Sequence, residues 1–130
     1  MVTLSSPPPS SVFHFKAWVF ALAALGVVGI SAAAYTGHIP HVFSSHGVDK
    51  VLHATMTFTL TFLLARLLRS RAVLAGLIVM IPVGIDEYAQ RFSTSRSSDW
   101  LDLAADLVGV LLAIFVVHRT TRRRLDPAAD

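Results

Sequence analysis

Four apolar runs, separated by short polar breaks, organise this chain. The first, residues 17–35, is 19 residues long and carries no charge. At 1.5 Å per residue a helix of that length reaches about 28 Å, close to the roughly 30 Å thickness of a bilayer's hydrocarbon. The second spans residues 49–68, with a charge-free stretch at 51–65 that has His53 inside it. The third, residues 72–85, would make only about 21 Å of helix, too short to cross. Its helix is therefore expected to continue through Asp86, Glu87 and Gln90, with Pro82 and Gly84 loosening or kinking its last turns. The fourth covers residues 99–118, with a helix stop at Pro127. The pattern predicts an all-α polytopic membrane protein, a bundle of four transmembrane helices.

The breaks between the runs set the domain organisation. Residues 1–16 hold Pro7, Pro8, Pro9 and several serines and are expected to be disordered. Lys16 ahead of an apolar run, with Ala32, Ala33 and Ala34 near its end, also fits a cleaved signal peptide. The proline-rich start and full spanning length favour an uncleaved helix. Residues 36–48 form a loop whose His38, His41 and His46 are expected to be solvated. Arg69, Ser70 and Arg71 make a tight basic turn, and 91–98 a polar loop. The transmembrane domain thus covers 17–118, and 119–130 is a basic cytoplasmic tail.

Composition supports the membrane reading. The chain is 54% hydrophobic and 15% charged, with mean hydropathy +0.63. Soluble domains average about 25% charged residues. There is no cysteine, which excludes disulfides and thiolate metal sites. A net charge of +3 could suggest nucleic acid, but the basic residues flank apolar runs, as membrane topology signals do. With four spans, Lys16, Arg66, Arg69, Arg71, Arg119, Arg122, Arg123 and Arg124 share one side, and Lys50, Arg91 and Arg96 the other. The positive-inside rule then places both termini and the Arg66–Arg71 turn in the cytoplasm.

That topology gathers Asp49, Lys50, His53, Asp86, Glu87, Gln90, Arg96, Asp99, Asp102 and Asp106 at the outer face. Asp49 and His53 are one helical turn apart, as are Glu87 and Gln90. Asp99, Asp102, Asp106, Gly109 and Ala113 share a stripe. Gly109 and Ala113 are small enough for a neighbouring helix to approach closely. Asp106 falls inside the apolar zone, where an unpaired Asp costs roughly 2.5–3.5 kcal/mol at the helix centre. Its candidate partners are Lys50, His53 and Arg96. For Asp49, Asp86 and Asp99 an interfacial belt with helix-dipole capping suffices. His53, Glu87 and Asp106 sit within or against apolar runs and call for a functional reading. The terminal arginines read as a topology anchor that can touch anionic lipid. No phosphate-binding glycine loop, zinc-protease helix or serine elbow is present in the sequence, and neither a metal nor a cofactor is expected.

Asp49-Lys50-Val51-Leu52-His53, Glu87-Tyr88-Ala89-Gln90, Arg96, and Asp102 through Asp106 to Gly109 follow one another in an order and spacing that resembles the VanZ-like family of small bacterial membrane proteins. The resemblance covers about half the chain. Asp106 stands where the family usually has Asn, and Thr57 where an aromatic residue often follows the histidine. The resemblance implies a cell-envelope protein, with a family link to resistance to the glycopeptide teicoplanin. The expected function is binding of an envelope ligand, a lipid-linked precursor or a lipopeptide, at the outer-face cluster Asp49, Lys50, His53, Glu87, Gln90, Arg96, Asp102 and Asp106, without catalysis. Two alternatives stand beside it: a membrane-embedded enzyme acting on a lipid headgroup through His53 with Glu87 or Asp106, and a structural subunit packing through Gly109 and Ala113. The expected partners are the bilayer and that ligand, with a homo-oligomer open.

Overall fold

The computed structural model describes residues 10–36, 46–92 and 99–125. These form four helices and no strand: α1 (Ser10–Tyr35), α2 (His46–Leu67), α3 (Ala72–Gln90) and α4 (Trp100–Leu125). Three of them, α1, α3 and α4, are long and apolar enough to cross a membrane. α2 carries Asp49, Lys50, His53, Arg66 and the threonines 55, 57, 59 and 61, which lower its apolarity. It is the central helix, packed against each of the other three, and its exposed Thr55 and Thr59 donate their hydroxyls back to the Val51 and Thr55 carbonyls.

Contacts fix the relative directions. Lys50 at the start of α2 pairs with Asp99, just ahead of α4, and with Asp102 in its first turn. Ala65 near the end of α2 clusters with Val117 near the end of α4, so these two helices run parallel. The Tyr35 hydroxyl at the end of α1 donates to Asp86 near the end of α3. The chain therefore alternates up and down. One end collects the starts of α2 and α4 with the ends of α1 and α3, and the opposite end collects Arg66, Arg69, Arg71, Arg119 and Arg122.

The interior is built from small residues. Ala65, Ala72, Ala75 and Val117 form a buried cluster, with Phe62, Leu64, Leu68 and Ile114 packed on it. A Cβ on Gly76 of α3 would lie 2.7 Å from a Val110 methyl. A Cβ on Gly109 of α4 would collide with the Ala54 carbonyl oxygen and the Thr57 hydroxyl of α2. Without aqueous hydrophobic drive, helices associate through such close packing. The outward faces carry large apolar side chains: Trp18, Leu22 and Leu25 on α1, Leu77, Ile81 and Ile85 on α3, Leu111 and Phe115 on α4. Apolar surface on this scale fits lipid rather than water.

The α2–α3 turn closes as a Schellman motif. The Ser70 N–H reaches the Ala65 carbonyl at 2.7 Å, and Arg69 lies at φ 54° with Ser70 at φ 68°. The position that most often takes glycine is therefore an arginine here.

Several boundaries move relative to the sequence expectation. α1 begins at Ser10, so residues 10–16 are helical rather than part of a disordered arm: nothing in Ser10 to Lys16 breaks a helix once the three prolines are passed. α2 takes in His46, which therefore starts a helix instead of lying in a loop. α4 continues to Leu125, because its arginines are good helix formers and no glycine or proline lies between His118 and Pro127, so most of the basic tail is helical. α3 runs unbroken through Pro82 to Gln90. The Pro7–Pro9 tract, His38, His41 and Arg96 lie outside the described residues.

Candidate functional site

Two strings of residues about 50 positions apart meet between α2 and α4. Asp99 opens α4, its carboxylate accepting the Leu101 N–H at 2.9 Å. The same carboxylate accepts a hydrogen bond from the Lys50 ammonium at 2.6 Å. Lys50 also pairs with Asp102 and lies 3.7 Å from Asp49. One ammonium thus sits among three carboxylates. The Asp102 side chain is only 5% exposed and that of Lys50 22%, so the pair is held largely out of solvent.

One turn further in, the His53 ring stands between two acidic positions. Its Nδ1 is 3.1 Å from the Asp106 carboxylate, whose side chain is 6% exposed. Its Nε2 faces Asp49 at 3.8 Å and Asp102 at 3.9 Å. Asp49, His53 and Asp102 each offer a ligand atom within 4.8 Å of the others, a grouping a metal ion could use. The Lys50 ammonium already bonds the same Asp102 carboxylate and lies beside Asp49, which supplies the positive charge such an ion would bring.

Deeper still, the Thr57 hydroxyl lies 2.9 Å from the His53 carbonyl and 3.0 Å from that of Asp106, so it bridges the two helices where Gly109 lets them touch. One more turn in, the fully buried Thr61 hydroxyl has no hydrogen-bond partner among the described residues. Below that level the seam becomes apolar, with Ala65, Val110, Ala113 and Val117 all buried. The polar cluster forms a polar well toward one end of the bundle, floored by small and branched apolar groups toward the other.

A second network joins α1 to α3. The Tyr35 hydroxyl donates to Asp86 at 3.0 Å, and the Gln90 amide donates to the other Asp86 oxygen at 3.0 Å. Gln90 is 1% exposed, and its amide oxygen has no partner among the described residues. The Arg91 guanidinium rests over the Tyr88 and Trp100 rings, 5.8 and 5.7 Å from their centroids. Such aromatic residues at helix ends are typical of a membrane–water boundary.

Of the residues expected at the site, Asp49, Lys50, His53, Asp102 and Asp106 are in mutual contact. Of the two described partners considered for Asp106, His53 meets it, while Lys50 goes to Asp99 and Asp102; Arg96 lies outside the described residues. Gln90 is at the same end but bonded to Asp86. Glu87 is half-buried on α3. Gly109 and Ala113 lie in the α2–α4 seam. Asp99 does more than cap, since it also holds Lys50. Tyr35 and Gly76 were not anticipated, and Thr57 was noted only as a departure from the family pattern. Of the first two, only Tyr35 left a trace in the sequence, as a polar-tipped aromatic closing an apolar run.

Compared with protein-family models, with curated proteins and with solved structures, the chain matches none.

Proposed function

We propose that the chain is a VanZ-like integral membrane protein of the bacterial cell envelope. In this reading it crosses the cytoplasmic membrane four times with both termini in the cytoplasm. Its polar end faces outward and binds an envelope ligand there without transforming it. The observation that carries the proposal is the shared network of Lys50, His53, Asp102 and Asp106. Ionisable groups are expensive inside an apolar bundle, and where they persist as paired groups they mark a functional path. The motif strings that resemble the VanZ-like family on α2 and α4 are the ones that meet in this network.

Charge balance narrows the ligand. Among the described residues, Asp49, Asp102 and Asp106 stand against one ammonium and one imidazole. The surplus of carboxylates suits a ligand that brings an amine, such as a lipopeptide, over the pyrophosphate of a lipid-linked precursor. The test is binding of an amine-bearing lipopeptide to the full chain in bilayers of neutral lipid, alongside the same lipopeptide N-acetylated. Loss of binding on acetylation and on Asp102→Asn is expected. Equal binding of both forms, or none of either, sinks the proposal. In cells, the resemblance makes susceptibility to a teicoplanin-type glycopeptide the first phenotype to measure.

One observation favours a second reading. The His53–Asp106 pair, with Nε2 facing Asp49 and Asp102, is an arrangement that general acid–base chemistry on a lipid headgroup could use. Turnover of a polar lipid by the purified protein, abolished by His53→Ala, would replace binding with catalysis.

A further inference from the structure

The end of the bundle opposite the polar well is one-sided in charge among the described residues. Ala65, Ala72, Ala75 and Val117 pack together there, so the α2–α3 turn and the last turns of α4 lie at one level. Arg66, Arg69, Arg71, Arg119 and Arg122 all belong to that level. α1 runs antiparallel to α2, which brings the exposed Lys16 to the same end. Every acidic side chain among the described residues (Asp49, Asp86, Glu87, Asp99, Asp102 and Asp106) lies at the other end.

The arginines are held at the edge of the apolar surface rather than far out in solvent. The Arg66 guanidinium lies over the Phe62 ring, 5.6 Å from its centroid, and Arg119 over Phe115 at 5.2 Å. Each ring is one turn further into the bundle than its arginine, and Phe115 is exposed among the outward apolar side chains. Arg69 and Arg71 flank Ser70 in the tight Schellman turn, whose hydrogen bonds hold the backbone between them.

We propose that this end is a binding surface for anionic phospholipid, with lipid phosphates seated among Arg66, Arg69, Arg71 and Arg119 at the rim of the lipid-facing helices. Guanidinium groups suit phosphate because their planar fork donates two hydrogen bonds at once. A phosphate joined to acyl chains is favoured over a soluble anion because the surface combines the charges with exposed apolar side chains directly alongside. The proposal does not depend on the VanZ-like reading, nor on which side of the membrane the arginines face.

The full chain is reconstituted into vesicles of equal parts phosphatidylcholine and phosphatidylglycerol and re-extracted in mild detergent. The co-purified phospholipid is then quantified by headgroup. Phosphatidylglycerol is expected to be enriched in the retained lipid. Each basic residue near a charged surface is worth a factor of about five, so Arg71→Gln with Arg119→Gln should cut the enrichment by roughly tenfold or more. Arg91→Gln, at the opposite end, should leave it unchanged. Thermal unfolding in pure phosphatidylcholine checks that the double variant is folded. Absence of enrichment in the unaltered protein overturns the proposal, as does enrichment that survives in a folded double variant. Equal loss in Arg91→Gln assigns the effect to overall charge and overturns the location. Displacement of the lipid by inorganic phosphate shows a general anion site and overturns the choice of lipid.

Discussion

Gly109→Ala adds a single methyl group, and the structure leaves no room for it. The new Cβ would collide with the Ala54 carbonyl oxygen and with the Thr57 hydroxyl. Backbone cannot rotate out of the way, so α2 and α4 must separate at their closest approach. Overpacking of this kind costs about 1–3 kcal/mol. Separation also pulls the Thr57 hydroxyl from the Asp106 carbonyl, now at 3.0 Å, a hydrogen bond worth about 1 kcal/mol. The expected total is about 2–4 kcal/mol. Gly84 is the matched control, since a Cβ there meets nothing within 4 Å. Gly84→Ala should be neutral or stabilise by up to about 1 kcal/mol, because alanine is the better helix former. The assay is unfolding in mixed detergent micelles at increasing denaturing-detergent fraction, followed by tryptophan fluorescence. If Gly109→Ala unfolds at the same fraction as the unaltered protein, the close α2–α4 contact is wrong and the geometry of the polar well falls with it.

Other perturbations read the remaining contacts in the same assay. Asp102→Ala strips Lys50 and His53 of a shared partner, and because Lys50 keeps Asp99 the loss should be about 2–3 kcal/mol, below the 3–5 typical of a broken buried pair; no loss would mean the pair is not formed. Tyr35→Phe removes the hydroxyl that ties α1 to Asp86 and should cost about 1 kcal/mol, with faster proteolysis of the 36–45 connection as the independent check. Arg69→Gly places glycine at a left-handed position, φ 54°, and should stabilise the protein in neutral detergent by up to about 1 kcal/mol; a clear destabilisation would contradict the turn described.

The sequence's apolar runs located all four helices because each must bury or immerse a long uncharged surface, a constraint that survives any packing detail. Helix ends were less legible. Lys16 and Arg119 end charge-free stretches without ending helices, since a charged side chain at the boundary leaves the backbone free to continue. The spacing of Asp102, Asp106, Gly109 and Ala113 announced one face of α4, and that face does meet α2. Which cation meets which carboxylate was beyond reach: Lys50, His53 and Arg96 were equal candidates for Asp106, and only the depths of Lys50 and His53 along α2 show that His53 reaches it while Lys50 pairs nearer the helix start. Tyr35 and Gly76 stayed hidden because their roles exist only across helices. A tyrosine at a helix end and a glycine within a helix look alike in sequence whether or not a neighbour stands opposite them.

The central claim is that the well formed by Asp49, Lys50, His53, Asp102 and Asp106 lies on the outer side of the membrane. Because the chain has no cysteine, single cysteines at Ser45, Ser70, Ser93 and Thr121 can be probed in intact cells with a membrane-impermeant thiol reagent. Labelling at Ser45 and Ser93, with none at Ser70 or Thr121, is the predicted result. The reverse pattern would turn the well toward the cytoplasm and contradict an envelope ligand.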